Sequence, residues 1–219
     1  MLAAGTHLLP DGLSVDAAMG ASQLVLRAAP DASVILCADI TLSVGLLVLD
    51  GLGLRGAAPS RARFLSESAS VPAVVVSGGM LTMRGSSMKG YVFNGALHVL
   101  GGEVNIEGSL LADNSAIGLQ GGAILVNGGR LSLIRSTMSR NEAEEGGAVA
   151  VLAGRFDAAQ CGFEANTYGG QRSSGRGAWA TGHRLIRCEH HERKCGFAEG
   201  GRTLDHCRWS GCARQWHAR

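Results

Sequence analysis

The chain has 219 residues, a formal net charge of +2, 46% hydrophobic and 17% charged residues, and 33 glycines against only 4 prolines. That balance excludes a disordered chain, a collagen-like polymer and a Pro/Gly linker, and it offers no whole-chain case for a nucleic-acid partner. No charge-free run is long enough for a membrane-spanning helix, and the first ten residues lack the basic start of a secretory signal, so an intracellular chain or a mature piece of a longer one is expected.

In chain order, Asp11 to Met19 reads as a short helix with Ser14 as its N-cap. It would cover the open edge of the first strands, making residues 1–23 an N-terminal cap. Leu24-Val25-Leu26, Val34-Ile35-Leu36, Ile40-Thr41-Leu42 and Leu47-Val48-Leu49 alternate as strands do, with a period of two rather than 3.6. Leu52-Gly53-Leu54, with Ala57 three residues on, fits the front of a repeat that becomes plain downstream.

That repeat has three parts. Gly121-Gly122-Ala123-Ile124-Leu125-Val126 recurs 25 residues later as Gly146-Gly147-Ala148-Val149-Ala150-Val151, with weaker copies at Ala73 to Val76, Gly95 to Val99 and Gly177 to Thr181. An alternating triplet and a small residue follow each copy: Leu81-Thr82-Met83 with Ser86, Val104-Asn105-Ile106 with Ser109, Leu131-Ser132-Leu133 with Ser136, and Phe156-Asp157-Ala158 with Cys161. Next comes an apolar residue with Asn three further on, as in Leu111/Asn114, Met138/Asn141 and Phe163/Asn166; Met88/Tyr91 has Tyr instead. Short strands at this spacing cannot bury an apolar face alone. Stacked coils can, because each strand pairs with its counterpart one coil along. The expected fold is all-β: a right-handed parallel β-helix of about seven or eight coils over 24–212, clearest over 73–181, degenerate over 182–212, with 213–219 frayed. Met83, Ile106 and Leu133, with Ala158 as a small member, should form an inward stack. Thr82, Asn105, Ser132 and Asp157 should face out, and Asn114, Asn141 and Asn166 should form a structural ladder at an interior turn.

Ser109-x-Leu111-x-x-Asn114-x-Ala116 with Gly121-Gly122-Ala123-Ile124 resembles the paired FxxN and GGAI repeats of chlamydial polymorphic outer-membrane proteins. So does Ser136-x-Met138-x-x-Asn141-x-Ala143 with Gly146-Gly147-Ala148-Val149, and Cys161-x-Phe163-x-x-Asn166 keeps FxxN itself. The same repeat occurs widely in pectin-lyase-like parallel β-helix proteins. The resemblance implies a secreted or cell-surface structural module, adhesin-like, displaying loops after the Asn turns to a surface protein or a glycan. The alternative it implies is a carbohydrate-active enzyme, a polysaccharide lyase or glycoside hydrolase. No C-terminal β-barrel pattern follows, so an autotransporter is not indicated.

Enzymes of this fold need carboxylates converging with a basic residue. Glu142, Glu144 and Glu145 lie one coil along from Asp113, and stacking would bring Asp113 near Glu142, but solvated turn carboxylates are the preferred reading. Gly182-His183-Arg184 and Arg187 loosely suggest a polygalacturonase-like pair without the Asp-rich motifs that should precede it. Tyr168 and Trp179 are candidates for sugar stacking. A non-catalytic chain with no cofactor is expected. The tail, residues 171–219, holds 10 Lys/Arg against 4 Asp/Glu, yet forms no dense basic run, so no nucleic acid is expected there either. Its Cys188, His190, His191, Cys195, His206, Cys207 and Cys212 are zinc-type ligands. Their spacing matches no common finger, and a disulfide among the cysteines is the other alternative. Reduced thiols are preferred, with Cys161, Cys188 and Cys207 in one column and Cys37 a core residue.

Overall fold

The computed structural model describes residues 1–9, 11–19, 23–55, 74–92 and 94–168. Beyond these it describes the backbone of Gln171–Arg172, Ala178–Ala180, Cys188–Glu189, Ala198–Glu199 and Arg202–Thr203. Alternating sequence makes strands, and repetition stacks them. The result is an all-β parallel solenoid of about five turns, whose described strands stack from Val34 to Ala159, with further strands at each end.

Three faces run the length of the stack. The first is a seven-stranded parallel sheet: Gly5–Leu8, Val34–Cys37, Leu52–Arg55, Ser87–Lys89, Leu110–Ala112, Thr137–Ser139 and Gly162–Glu164. The second stacks Leu13–Val15, Ile40–Leu42, Val74–Val76 and Leu97–Val99; the third stacks Gln23–Arg27, Leu46–Asp50, Met80–Arg84 and Glu103–Glu107. Two long strands, Ile124–Ile134 and Val149–Ala159, bend through both the second and third faces.

Strand alternation puts one side-chain row inside and the next outside. Met83, Ile106, Leu133 and Ala158 are in register, and none is more than 2% exposed. Thr82, Asn105, Ser132 and Asp157 form the adjacent outward row. Ile106→Ala removes a branched side chain between Met83 and Leu133, and is expected to cost about 2–5 kcal/mol in denaturant titration; a neutral result would contradict this register.

The corner between the second and third faces explains the pairs Gly78-Gly79, Gly101-Gly102 and Gly128-Gly129. Gly79, Gly102, Gly129 and Gly154 stack there with φ of 68°, 69°, 64° and 93°. A Cβ on Gly102, Gly129 or Gly154 would lie 2.4 Å from the carbonyl oxygen of the glycine one turn before it. Only glycine fits both the left-handed backbone and the close approach.

Two polar ladders hold the other corners. Asn114, Asn141 and Asn166 are at most 1% exposed. Asn141 Oδ1 accepts from the backbone N–H of Asn114 (3.1 Å) and from its Nδ2 (2.9 Å). Asn141 Nδ2 donates to Leu111 O (3.0 Å) and to Asn166 Oδ1 (3.0 Å). The amide is fully used, and Asn114 and Asn166 make the corresponding bonds to Met88 O and Met138 O. At the corner between the third and first faces, the hydroxyls of Ser86, Ser109 and Ser136 each accept a backbone N–H from the turn before, at 3.0–3.2 Å. Each also donates to the carbonyl two residues back in its own chain, at 2.7–2.9 Å. Cys161 Sγ makes the latter bond at 3.3 Å.

Several expectations are corrected. The coil count is lower than the whole length divided by one repeat: the described residues form about five turns. The capping helix at 11–19 is instead the strand Leu13–Val15 and a 3-10 turn, Ala17–Met19. Val15 enters the core, and pairing with Ile40–Leu42 wins over helix. Asp16, not Ser14, caps the turn, accepting from the Ala18 N–H at 2.9 Å. Leu52-Gly53-Leu54 does not match Leu81-Thr82-Met83; Leu47-Val48-Leu49 does, and Leu52–Arg55 belongs to the first face. Cys188 pairs with Ala158 rather than with Cys161, three residues away from the expected column. Finally, the segments after Asn114 and Asn141 are not loops but paired strands, Ser115–Gln120 and Glu142–Glu145, in a fourth, short sheet. The asparagine ladder aligns successive turns, so the backbone just beyond it is already in pairing distance.

Candidate functional site

The outward side of the third face carries the densest polar chemistry. Its edge row reads Arg27, Asp50, Arg84, Glu107 in register, alternating in sign at every rung. Arg27 Nε donates to Asp50 at 2.7 Å. Glu107 is shared between Arg84, at 3.9 Å, and Arg135. Toward the C-terminal end, Asp157 accepts from Arg130 at 3.0 Å and from Arg155 at 2.9 Å, and its side chain is 19% exposed. Glu103 accepts from Asn105 Nδ2 at 3.2 Å. Among the described side chains of this face, all four carboxylates are thus occupied by donors of the same chain: Asp50, Glu103, Glu107 and Asp157. A pair serving as acid and base would need one carboxyl held protonated and another free to reach substrate.

Asp113 meets a different partner from the one the carboxylate cluster suggested. Arg140, one turn along, binds both its oxygens at 2.6 and 2.9 Å. Glu142 lies in another column, in register with Ser115, and Glu145 accepts from Gln120. The Arg140 hydrogen bond, first, holds the Asp113 carboxyl below the usual carboxylate range; burial opposes it, and the charges of Arg140 and Lys89 add to the lowering. The pair's contribution to stability is therefore present above the unfolded carboxylate pKa and is lost as pH falls through the depressed one.

Two buried or half-buried groups on the remaining faces are structural. His98 lies in the outward row of the second face between Val75 and Leu125, and its Nε2 lies 2.9 Å from Asn94 O. Burial lowers its pKa, which favours the neutral ring, while the hydrogen bond to Asn94 O opposes this more weakly. Tyr91 stands at the end of the asparagine ladder, its N–H donating to Asn114 Oδ1 at 3.1 Å. Its hydroxyl is buried without a partner, and burial pushes its pKa upward. Tyr91→Phe is therefore expected to be neutral, or stabilising by up to about 1 kcal/mol, in denaturant titration. A loss of stability would mean that the hydroxyl bonds a group within the fold.

Of the zinc-type residues, Cys188 is described as backbone only, and His190, His191, Cys195, His206, Cys207 and Cys212 lie outside the described residues. So do His183, Arg184 and Arg187; Tyr168 and Trp179 are described as backbone, opposite Ala143 and Ala150. Among the described residues no three His, Cys, Asp or Glu side chains gather as metal ligands would, and no helix is long and apolar enough to cross a membrane. The arginine pairs around Asp157 and Asp113 were not read from sequence. Their signal was present, since offsets of 25 and 27 residues place Arg155 beside Arg130 and Arg140 beside Asp113. No family model, curated protein or solved structure matches this chain.

Proposed function

We propose that the chain is a non-catalytic binding scaffold, a right-handed parallel β-helix of the pectin-lyase-like class whose faces present side chains to a surface protein or a glycan outside the cell. One observation carries this reading: among the described side chains, every carboxylate on the polar third face is tied to a donor of the same chain. Such a face is built for rigidity rather than for proton transfer. The solenoid supports it further, since stacked short strands give a stiff support at little cost in loop ordering. Incubation with pectate, pectin or alginate, with calcium supplied, is expected to release no unsaturated or reducing ends. Measurable release would overturn the reading in favour of the carbohydrate-active alternative, for which the arginine-flanked Asp157 would be the first residue to replace.

A further inference from the structure

The outward side of the first face carries cations without anions. One outward column runs Ile35, Gly53, Ser87, Leu110 from turn to turn. Gly53 leaves a gap in it beside the Ser87 hydroxyl, whose oxygen would lie 3.6 Å from a Cβ on that glycine. The gap opens into a groove of about 420 Å³ that crosses four successive strands of the face, from Val34 to Leu110. Half-buried Ile35 and Leu110 stand at its two ends.

Arg55 and Lys89 are in register in the next outward column, and both line the groove. Neighbouring strands lie ~4.8 Å apart, and like charges directly opposite one another are unfavourable. The third face avoids this by alternating sign; here two cations are stacked. The other six arginines with described side chains all have a carboxylate within reach. Among the described residues Arg55 and Lys89 have none within salt-bridge distance, and no Asp or Glu lines the groove. Asp113, whose carboxyl feels the charge of Lys89, is already bound at both oxygens by Arg140.

We infer that this groove binds an extended acidic segment of a partner protein, with two carboxylates on Arg55 and Lys89 and an apolar side chain seated at each end, on Ile35 and on Leu110. The dimensions agree. Ile35 and Leu110 are three strand spacings apart, ~14 Å, and an extended chain covers ~14 Å in four residues. A segment lying between the two columns turns alternate side chains to each. Residues i and i+4 then reach Ile35 and Leu110, and i+2 falls between the Gly53 gap and the Ser87 hydroxyl. Residues i+1 and i+3 face the other column at ~3 and ~10 Å from the Ile35 end, where Arg55 and Lys89 stand at ~5 and ~10 Å. The sequence that fits is apolar-acidic-x-acidic-apolar, with main-chain spacing and alternating seats together setting the choice. Sugar rings and nucleic-acid bases stack on aromatic side chains, and no aromatic residue lines the groove. The inference deepens the scaffold reading by naming the partner's chemistry and its place, and it rests on that reading only in taking a protein as the partner.

The test is titration of the isotope-labelled full chain at low ionic strength, read by amide chemical shifts, with three end-blocked peptides: Leu-Glu-Ser-Glu-Leu, Leu-Gln-Ser-Gln-Leu and Ser-Glu-Ser-Glu-Ser. The first is expected to shift the amides of Leu52–Arg55 and Ser87–Lys89, and to bind more weakly as salt screens it. The other two should each bind at least about fivefold more weakly, one for want of the charges and the other for want of the apolar seats. The double variant Arg55→Gln/Lys89→Gln should lose at least about tenfold in affinity for the first peptide, whereas Arg27→Gln on the third face should not change it. Lys89→Gln alone serves if circular dichroism shows the double variant unfolded. No binding of the first peptide, equal binding of either control peptide, undiminished binding by the groove variant, or tighter binding of an oligogalacturonate or a single-stranded DNA of equal charge would overturn the inference. Absent peptide binding with no polysaccharide cleavage leaves the scaffold reading standing; peptide binding at these amides together with cleavage removes that reading and keeps the groove.

Discussion

Asn141→Ala is expected to destabilise the fold by about 3–5 kcal/mol, the sum of several buried hydrogen bonds lost at once. The N–H and Nδ2 of Asn114 would lose their shared acceptor, and Leu111 O and Asn166 Oδ1 would each lose a donor. None of these atoms can turn to water, because the corner is sealed. Asn141→Asp isolates the donor half of the amide. It keeps an acceptor for Asn114 but sets an oxygen against two oxygens where Nδ2 stood. Burial and those neighbours raise the folded pKa of the new carboxyl above its unfolded value. The folded state then holds the proton more tightly, so the variant is least impaired at acid pH and loses stability as pH rises through the unfolded pKa toward the folded one. Urea titrations of variant and parent at pH 4 and pH 8 would show it; an unchanged difference between the two pH values would mean that the corner admits water.

Gly102→Ala should cost about 3–5 kcal/mol, combining a left-handed backbone with overpacking. The obstructing atom is Gly79 O, part of the preceding turn's backbone and not a side chain that can swing away. The strain can be relieved only by separating two turns, so amide exchange should rise on both sides of the corner, around Met80–Arg84 and Glu103–Glu107. Gly85→Ala is the contrasting variant. It too has positive φ, 51°, but nothing lies within 4 Å of its would-be Cβ, so only the backbone term should remain. Equal losses at the two positions would show that the close approach does not matter.

Much of the solenoid was legible because the repeat is written three times over, in the Gly-Gly corners, the alternating triplets and the apolar-x-x-Asn turns. Where all three coincide, from Leu81 to Asn166, stacking has one consistent solution. Where they do not, local pattern is ambiguous. Leu47-Val48-Leu49 and Leu52-Gly53-Leu54 alternate equally well on either side of Asp50-Gly51, and only the pairing partner tells which belongs to the third face. Ser14 looked like a helix cap because capping is a local signal, whereas the burial of Val15 depends on its strand partner Leu42, 27 residues on. The chemistry was harder to read than the fold. Asp113 seemed close to Glu142 because both lie one turn apart in the chain, but a difference of 27 residues puts Arg140 beside it and 29 puts Glu142 in another column. The register of Lys89 against Arg55 on the first face was hidden altogether, since 34 residues separate them and the repeat is not legible between them.

The row Arg27, Asp50, Arg84, Glu107 has a consequence for how the chain reaches this structure. Near-identical repeats invite a frame error in which a turn is looped out and its neighbours close over the gap. Glycine, serine and asparagine columns would accept such a slip, since each presents the same residue type to the next turn. The charged row does not: omitting one turn sets Arg27 on Arg84, or Asp50 on Glu107, at the spacing of adjacent strands, where like charges repel. Uniform ladders give this molecule its cohesion, and the alternating one acts as a parity check on the order in which its turns are laid down.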